Sequence, residues 1–245
     1  MKKLKIKDLR DRLIRQEETI IFALIERAQF KQNSVIYEVG GLSIGSQNTS
    51  FFDYLLRETE IIHARARRYT SPDEHPFFED LPDPILPPLH YESGIKPSLI
   101  NINFKIKEIY IHSLLSLICG PGDDGDYGSS ATCDVTCVQA LSKRIHYGKF
   151  VAEAKFQEKP EIFSQMIEQN DASAILKELT HLEVEEKLYR RVRQKATTYG
   201  RDIEEISGSE NYKINPDTIA SIYRNWIIPL TKEVEVEYLL QREVG

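Results

Sequence analysis

Apolar residues recur three and four positions apart along most of the chain, a pattern typical of amphipathic α-helices. The first such segment is IKDLRDRLIRQEETIIFALIERAQF at 6–30, and FFDYLLRETEIIHARARRY follows at 51–69. NFKIKEIYIHSLLSLIC at 103–119 predicts another helix. We expect two or three more helices within 161–199 and a last one within 215–244, where EVEVEYLL alternates like a strand but continues a helical pattern.

Glycine, serine and proline separate these segments. EVGGLSIGSQNTS at 38–50 and GPGDDGDYGSS at 120–130 have the composition of loops, and the proline-rich stretch 80–98 is expected to be irregular. No pair of strands and no alternation of strands with helices is evident. These glycine-, serine- and proline-rich segments are therefore expected to be loops within one fold and not a linker between two domains.

Two helix starts are marked by capping residues. Ser129 or Ser130 is the expected N-cap of a long helix that contains SKRIHYGKFVAEAKF, at 142–156. Asn215 is the expected N-cap of the last helix, with Pro216 in its first turn. Both signals agree with the apolar periodicity that follows them.

Two further local signals predict a short helix and a kink. Ser71 and Glu74 have capping-box spacing, which predicts a short helix that Pro76 soon disrupts. Pro229 is expected to kink the last helix because it lacks a backbone N–H. The whole chain, 1–245, is thus predicted to be one all-α domain, a bundle of roughly ten to twelve helices.

Composition narrows the class of protein. Lys and Arg total 32 against 38 Asp and Glu, a formal net charge of −6, which argues against a nucleic-acid partner. No apolar run approaches the ~20 residues that span a bilayer, so no membrane partner is expected. The N-terminus lacks the pattern of an import leader, which favours the cytoplasm, with a plastid as the alternative if a leader has been removed. Three cysteines, Cys119, Cys133 and Cys137, are expected to be plain buried thiols.

The candidate functional residues are charged side chains on helix faces that are otherwise apolar and should be buried in the core. At about 100° per residue, Arg144, Gly148, Val151 and Lys155 fall on one stripe of a mostly apolar helix. Gly148 leaves room beside the backbone, so two cations flanking a gap suggest a site for an anion. Polar residues share an apolar face in three other segments, at Arg10 and Glu17, at His181 and Glu185, and at Thr231 and Glu235.

Two explanations stay open for these stripes. They could be buried salt bridges, such as Arg10 with Glu17, or cations whose ends reach water. A polar ligand at the centre of the bundle would compensate all four stripes together, because each unpaired buried charge costs several kcal/mol. Lys143 and Lys149 lie off the stripe and are expected at the solvated surface.

The residue types indicate which ligand would fit. Arg10, Arg144 and Lys155 suit two carboxylates, and Glu185 would accept a hydrogen bond from a hydroxyl. Thr231 can donate, whereas Glu235 can donate only when protonated. No nucleophile–base pair, metal-ligand cluster or phosphate-binding loop is evident. An enzyme of this kind would act by positioning and electrostatics alone.

These residues, in this order, resemble the eukaryotic chorismate mutases, the all-helical type of plants and fungi. The resemblance runs over nearly the whole chain. Its strongest blocks are LRDRLIRQEETIIFALIERAQF, RRYTSPDEHPFF, GDDGDYGSSA, QALSKRIHYGKFVAEAKF and PLTKEVEVEYLL. It implies a homodimeric isomerase that rearranges chorismate to prephenate, on the route to phenylalanine and tyrosine, without a cofactor or covalent intermediate.

The resemblance also implies residue roles. Arg10 and Arg144 would bind the two substrate carboxylates, and Lys155 would reach a carboxylate and the ether oxygen. Protonated Glu235 would donate to that ether oxygen, Glu185 would accept from the ring hydroxyl, and Thr231 would contact a carboxylate. Further substrate contacts are expected from His181, Val151 and Ile228. His181 stands where the yeast-type site has Asn.

A regulatory site is implied at the dimer interface, in elements around 67–76 and 120–134. The expected ligands are aromatic amino acids, with tryptophan activating and tyrosine or phenylalanine inhibiting. The residues implied are Arg67, Arg68, Gly128, Ser129 and Thr132. The alternative is that Ser129 only caps a helix and the arginines are surface charges.

A second class of function is also consistent with the pattern: a helical regulatory or scaffold dimer that kept the fold and lost the chemistry. The complete polar set argues against it, since a degenerate homologue would be expected to lose at least one costly buried charge.

Overall fold

The computed structural model describes residues 3–45, 48–89, 94–201 and 212–242. Regular structure in these ranges is helical, apart from one isolated β-bridge between Arg201 and Tyr212. The α-helices of the described residues are α1 (Ile6–Ala28), α2 (Phe51–Arg65), α3 (Asn103–Ile109), α4 (Leu115–Ile118), α5 (Tyr127–His146), α6 (Gly148–Glu158), α7 (Pro160–Glu168), α8 (Ala172–Leu179), α9 (Leu182–Tyr199), α10 (Pro216–Ile222) and α11 (Ile228–Leu240). The predicted all-α class is confirmed.

Some of these helices join end to end, so the described residues contain fewer separate helices than the ten to twelve predicted. A π-helical turn at Tyr110–Leu114 connects α3 to α4, and another at Tyr223–Ile227 connects α10 to α11. In the second turn the N–H of Ile228 donates to the carbonyl of Tyr223, five residues earlier. The wider turn ends just before Pro229, which has no backbone N–H to donate. The helix therefore continues past this proline to Leu240.

Three predicted helix boundaries are wrong. The helix expected through 142–156 is divided at Tyr147 into α5 and α6, and α2 ends at Arg65 instead of continuing to 69. Neither Ser129 nor Ser130 caps α5, because that helix already begins at Tyr127.

The short helix predicted at Ser71 is also absent from the described residues. The segment forms a turn in which the N–H of Glu74 donates to the carbonyl of Ser71 over 3.1 Å. The Glu74 carboxylate accepts from Arg68 Nε at 3.0 Å and from Lys143 Nζ at 2.5 Å. Because those cations occupy it, the carboxylate does not close a capping box.

Other expectations are confirmed. The side chain of Asn215 accepts from the N–H of Asp217, with Pro216 in the first turn, and three helices lie between residues 160 and 199. Cys119 and Cys137 are buried thiols, and Cys133 is half-buried. Positions 46–47, 90–93 and 243–244, in predicted loops and the predicted last helix, lie outside the described residues.

The described helices share one hydrophobic core. Its buried cluster contains side chains from all eleven helices, with α5 packed along α1 near the centre. A buried ion pair joins these two helices, with Arg27 Nε 2.6 Å from Asp134 Oδ1 and both side chains fully buried. Tyr110 donates to the same carboxylate, which ties the first π-helical turn to α5. Among the described residues no helix is both long and apolar enough to cross a membrane.

Candidate active site

A cavity of about 500 Å³ opens between α1, α5, α6 and α9, a size suited to a small organic ligand. Ile6, Leu9, Leu13 and Phe163 give it apolar walls. Its charged lining residues are the basic Arg10, Arg144, Lys155, Lys159, Lys187 and Arg191, and the acidic Glu17, Glu158 and Glu178.

The structure brings most of the predicted site residues together here. The predicted residues that line the cavity are Arg10, Arg144, Val151, Lys155 and His181. Thr231 and Glu235 lie on α11, buried next to these lining residues, and Ile228 is buried one turn before Thr231. Glu185 lies on α9, in the first turn after His181, which is the residue preceding the helix.

Arg144 is the most deeply placed cation of the cavity wall, with 2% of its surface exposed. Its Nη1 donates to the hydroxyl of Thr231 over 3.3 Å, and that hydroxyl donates to the carbonyl of Ile227 over 2.6 Å. The Nε of Arg144 is buried and has no hydrogen-bond partner among the described residues. Burial lowers the pKa of Arg144, while Tyr223 and Glu17 act in the opposite direction.

Lys155 projects from α6 towards the end of α8. Its Nζ donates to the carbonyl of Leu179 over 2.7 Å. Burial lowers the pKa of Lys155, and the nearby carboxylate of Glu235 raises it in part. An ammonium held by one backbone carbonyl keeps two further donors for other acceptors.

Glu235 is a buried carboxyl group surrounded by cations. Burial raises its pKa to about 7, opposed by attraction to Lys155, Arg144 and Lys232 and reinforced by Glu185. The protonated form is therefore well populated at neutral pH, and in that form Glu235 can donate a hydrogen bond. This agrees with the expectation that Glu235 acts only when protonated.

The room expected beside Gly148 is filled by α11. A Cβ atom on Gly148 would lie 2.8 Å from the backbone oxygen of Thr231 and 3.2 Å from Cγ of Glu235. The glycine therefore serves the close approach of α6 to α11, which brings the Thr231 and Glu235 side chains up to α6. The prediction of a gap for an anion at this residue is wrong.

Glu17 is not the partner of Arg10. Its fully buried carboxylate accepts from Arg191 Nη2 at 2.6 Å and from Lys195 Nζ at 3.4 Å. Arg191 was not among the predicted site residues. It lies three positions after Leu188, on the same face of α9, and both residues line the cavity. Within the described residues Arg10 makes no ion pair and lines the cavity as an exposed side chain.

Lys149 is buried, contrary to expectation, with 2% of its surface exposed. Its Nζ contacts Nε2 of His75 at 2.5 Å, and the ring of His75 stacks on that of His146 with centroids 4.2 Å apart. Burial lowers the pKa of Lys149 to about 8. Lys143 is half-exposed and paired with Glu74, so it agrees better with the expected surface position.

The predicted effector residues lie in two places. Arg68 donates from Nε to Glu74 and from Nη1 to Gln139 over 2.8 Å, and it lines a second cavity of about 440 Å³ between α1 and α5. Arg67 has a left-handed backbone with φ 69° and donates to the carbonyl of Pro87. The other three residues are exposed on the first turns of α5, namely Gly128, Ser129 and Thr132.

The fold and the cavity define an all-helical protein with a cation-rich pocket beside a buried carboxyl group. A family model described as chorismate mutase type II matches residues 127–236, which include Arg144, Lys155 and Glu235. Chorismate mutase 1, chloroplastic, of Petunia hybrida is 50% identical over 242 residues, covering 96% of this chain and 74% of that protein.

Solved structures agree over nearly the full length. The crystal structure of AtCM1 with tyrosine bound in its allosteric site matches with a TM-score of 0.90 and 46% identity, covering 98% of this chain and 97% of that one. Aro7p chorismate mutase from Candida albicans, in complex with L-Trp, matches with a TM-score of 0.92 and 39% identity, covering 97% and 91%. This chain therefore belongs to the chorismate mutase family.

Proposed function

We propose that the protein catalyses the rearrangement of chorismate to prephenate in the cavity between α1, α5, α6 and α9. The observation that carries the proposal is the burial and hydrogen bonding of Arg144. This guanidinium is buried beside the cavity, bonded to the neutral hydroxyl of Thr231, and its Nε has no partner among the described residues. A buried cation of this kind requires an anion, and a substrate carboxylate supplies one.

The substrate would be held through its two carboxylates. Arg144 and Arg10 bind one each, because a guanidinium can pair with a carboxylate through two parallel hydrogen bonds. Thr231 contacts the carboxylate bound at Arg144. Clamping both carboxylates holds a flexible substrate in the compact shape in which the reacting carbons meet, which removes much of the entropic barrier.

Two donors would act on the ether oxygen. As the C–O bond breaks, negative charge develops on that oxygen, and Lys155 with protonated Glu235 stabilises it more in the transition state than in the ground state. Glu185 accepts from the ring hydroxyl. Val151, Ile228 and His181 complete the contacts with the substrate.

The protein would act as a homodimer regulated by aromatic amino acids. Tyrosine and L-Trp are bound in the two matching structures named above, which supports effectors of this class. The regulatory site would use Arg67, Arg68, Gly128, Ser129 and Thr132, at the elements around 67–76 and 120–134. The Petunia relative is chloroplastic by name, so a plastid and the cytoplasm are the two compartments proposed.

Ligand-dependent melting separates this function from a scaffold that has lost the chemistry. A dicarboxylate analogue of the transition state should raise the melting temperature of the purified protein. At 100 times its Kd the analogue adds about 2.7 kcal/mol to the free energy of unfolding. The same titration on Arg144→Ala is the matched control, and we expect no rise there. An unchanged melting temperature in the wild type would favour the scaffold.

A further inference from the structure

Lys232 is a cation beside the site to which no role has been given. It lies on α11 between Thr231 and Glu233, with 17% of its side chain exposed. Its Nζ is 2.5 Å from Oε1 of Glu185 and donates to the hydroxyl of Thr180 over 2.9 Å. One ammonium thus joins α11 to the start of α9 and to the residue that follows α8.

The contact with Glu185 restrains a carboxylate that has few other restraints. Glu185 lies in the first turn of α9 and its side chain is 18% exposed. Within the described residues the only hydrogen-bonding or ion-pair partner of its carboxylate is Lys232. A flexible Glu side chain without a partner would sample several rotamers and turn its oxygens to water. Lys232 binds Oε1, which leaves Oε2 for a second donor.

The contact with Thr180 places the ammonium of Lys232 near that of Lys155, a proposed donor to the ether oxygen. Thr180 follows Leu179, whose carbonyl accepts from Lys155. The end of α8 is therefore bonded to α6 through Lys155 and to α11 through Lys232. Two cations of the site are held by consecutive residues, which fixes their separation.

We propose that Lys232 is a positioning residue, whose ammonium holds the Glu185 carboxylate in the orientation that accepts a hydrogen bond from the substrate's ring hydroxyl. This inference rests on the proposed function. The ammonium of Lys232 is already bound to Glu185 and to the hydroxyl of Thr180, so its effect on the substrate passes through Glu185.

Lys232 also adds to the charge around Glu235. The groups that act on this carboxyl from its surroundings are Lys155 on α6, Arg144 on α5, Glu185 on α9 and Lys232 on α11 itself. Removing Lys232 takes away one of three cations that lower the pKa of Glu235. The protonated form then persists to higher pH, a consequence that a purely structural role would not produce.

The test compares Lys232→Met with Lys105→Met. The control breaks another ion pair of α11, between Lys105 and Glu233 at 2.5 Å, on an exposed side of the helix. We expect Lys232→Met to raise KM for chorismate about tenfold and to move the alkaline limb of the rate profile to higher pH. Lys105→Met should change neither, and Lys232→Arg should restore most of the KM because it keeps the charge and the donors.

A double variant tests whether the effect passes through Glu185. At about pH 5.5, where Glu235 is protonated in either variant, Lys232→Met combined with Glu185→Gln should have the kcat/KM of Glu185→Gln alone, within about twofold, because the two residues act as one unit. If Lys232→Met fails to fold, Lys232→Gln takes its place. Additive losses, or a Lys232 variant that matches the control in KM and pH profile, would overturn the inference while an active wild type leaves the proposed function standing. A wild type that does not turn over chorismate would overturn both.

Discussion

Arg144 is a buried cation and Lys155 a partly buried one, and their different environments suggest different roles in the reaction. Arg144 is bonded to a neutral hydroxyl on α11, whereas Lys155 is held by the carbonyl of Leu179 beside a carboxyl group of raised pKa. The first arrangement suits a fixed carboxylate. The second suits a donor that can turn towards an oxygen as charge develops on it.

Removing the ammonium of Lys155 should therefore impair the chemical step. We expect Lys155→Ala to lower kcat by at least a hundredfold, about 2.7 kcal/mol of barrier, in steady-state assays of chorismate loss. Lys159→Ala is the control, because Lys159 lines the same cavity but is half-exposed and paired with Glu178 at 2.6 Å. Near-normal turnover by Lys155→Ala would remove this residue from the mechanism.

Glu235 should control the alkaline side of the rate profile. Because its pKa is raised to about 7, the donating proton is present below neutrality and is lost as the pH rises through that value. Activity of the wild type should fall over the same interval. Glu235→Gln keeps a donor at every pH, so its kcat should stay level from about pH 6 to 9, and a fall at the wild-type position would assign the titration to another group.

Local sequence pattern was enough to find Arg144, Lys155, Thr231 and Glu235, because each is a polar residue on a stripe that has to pack. It could not identify their partners. Lys232 lies one turn before Glu235, and only the fold brings it to Glu185. Burial of a long cation depends on residues distant in the chain, which is why Lys149 was expected at the surface and is found against His75.

At the scale of helices, the site depends on how closely α6 and α11 approach. Gly148 sits at the contact, where the backbone oxygen of Thr231 would lie 2.8 Å from an added Cβ. Tyr147, just before it, separates α5 from α6. Periodicity alone predicted one continuous helix here, because both sides of the break carry helix-forming residues and the break is set by packing on α11.

Substituting Gly148 tests this contact. We expect Gly148→Ala to lower stability by about 1–3 kcal/mol, since a backbone atom cannot move aside as a flexible side chain can. Gly128→Ala is the control within a helix, as no atom lies within 4 Å of the position of its Cβ, and it should leave stability unchanged or raise it slightly. Urea unfolding measures both, and equal effects would contradict the proposed close approach.

At the scale of the whole molecule, charge is distributed unevenly. The chain carries a formal net charge of −6, whereas the cavity is lined by six Lys and Arg residues and three Glu residues. A positive cavity in an acidic protein attracts an anionic substrate while the rest of the surface does not. The all-α class and the central polar set could be predicted from the sequence, but this separation of charge appears only when the helices are assembled.

Regulation belongs to this scale as well, since the proposed effector site lies away from the cavity. We expect tryptophan to raise turnover at low chorismate and tyrosine to lower it. Arg68→Ala should lose both responses, because the effector carboxylate would lose its guanidinium partner. Initial rates with and without each amino acid measure this. Responses retained in full by Arg68→Ala would place the effectors elsewhere.

The most direct test of the account is whether the purified protein converts chorismate to prephenate. The measurement is the fall in chorismate absorbance with EDTA present, together with chromatographic identification of the product, beside Lys155→Ala at the same concentration. The account predicts rapid loss of chorismate with equal formation of prephenate by the wild type and at least a hundredfold slower loss by the variant. A folded wild type in whose presence chorismate is lost no faster than in the uncatalysed reaction would contradict the account.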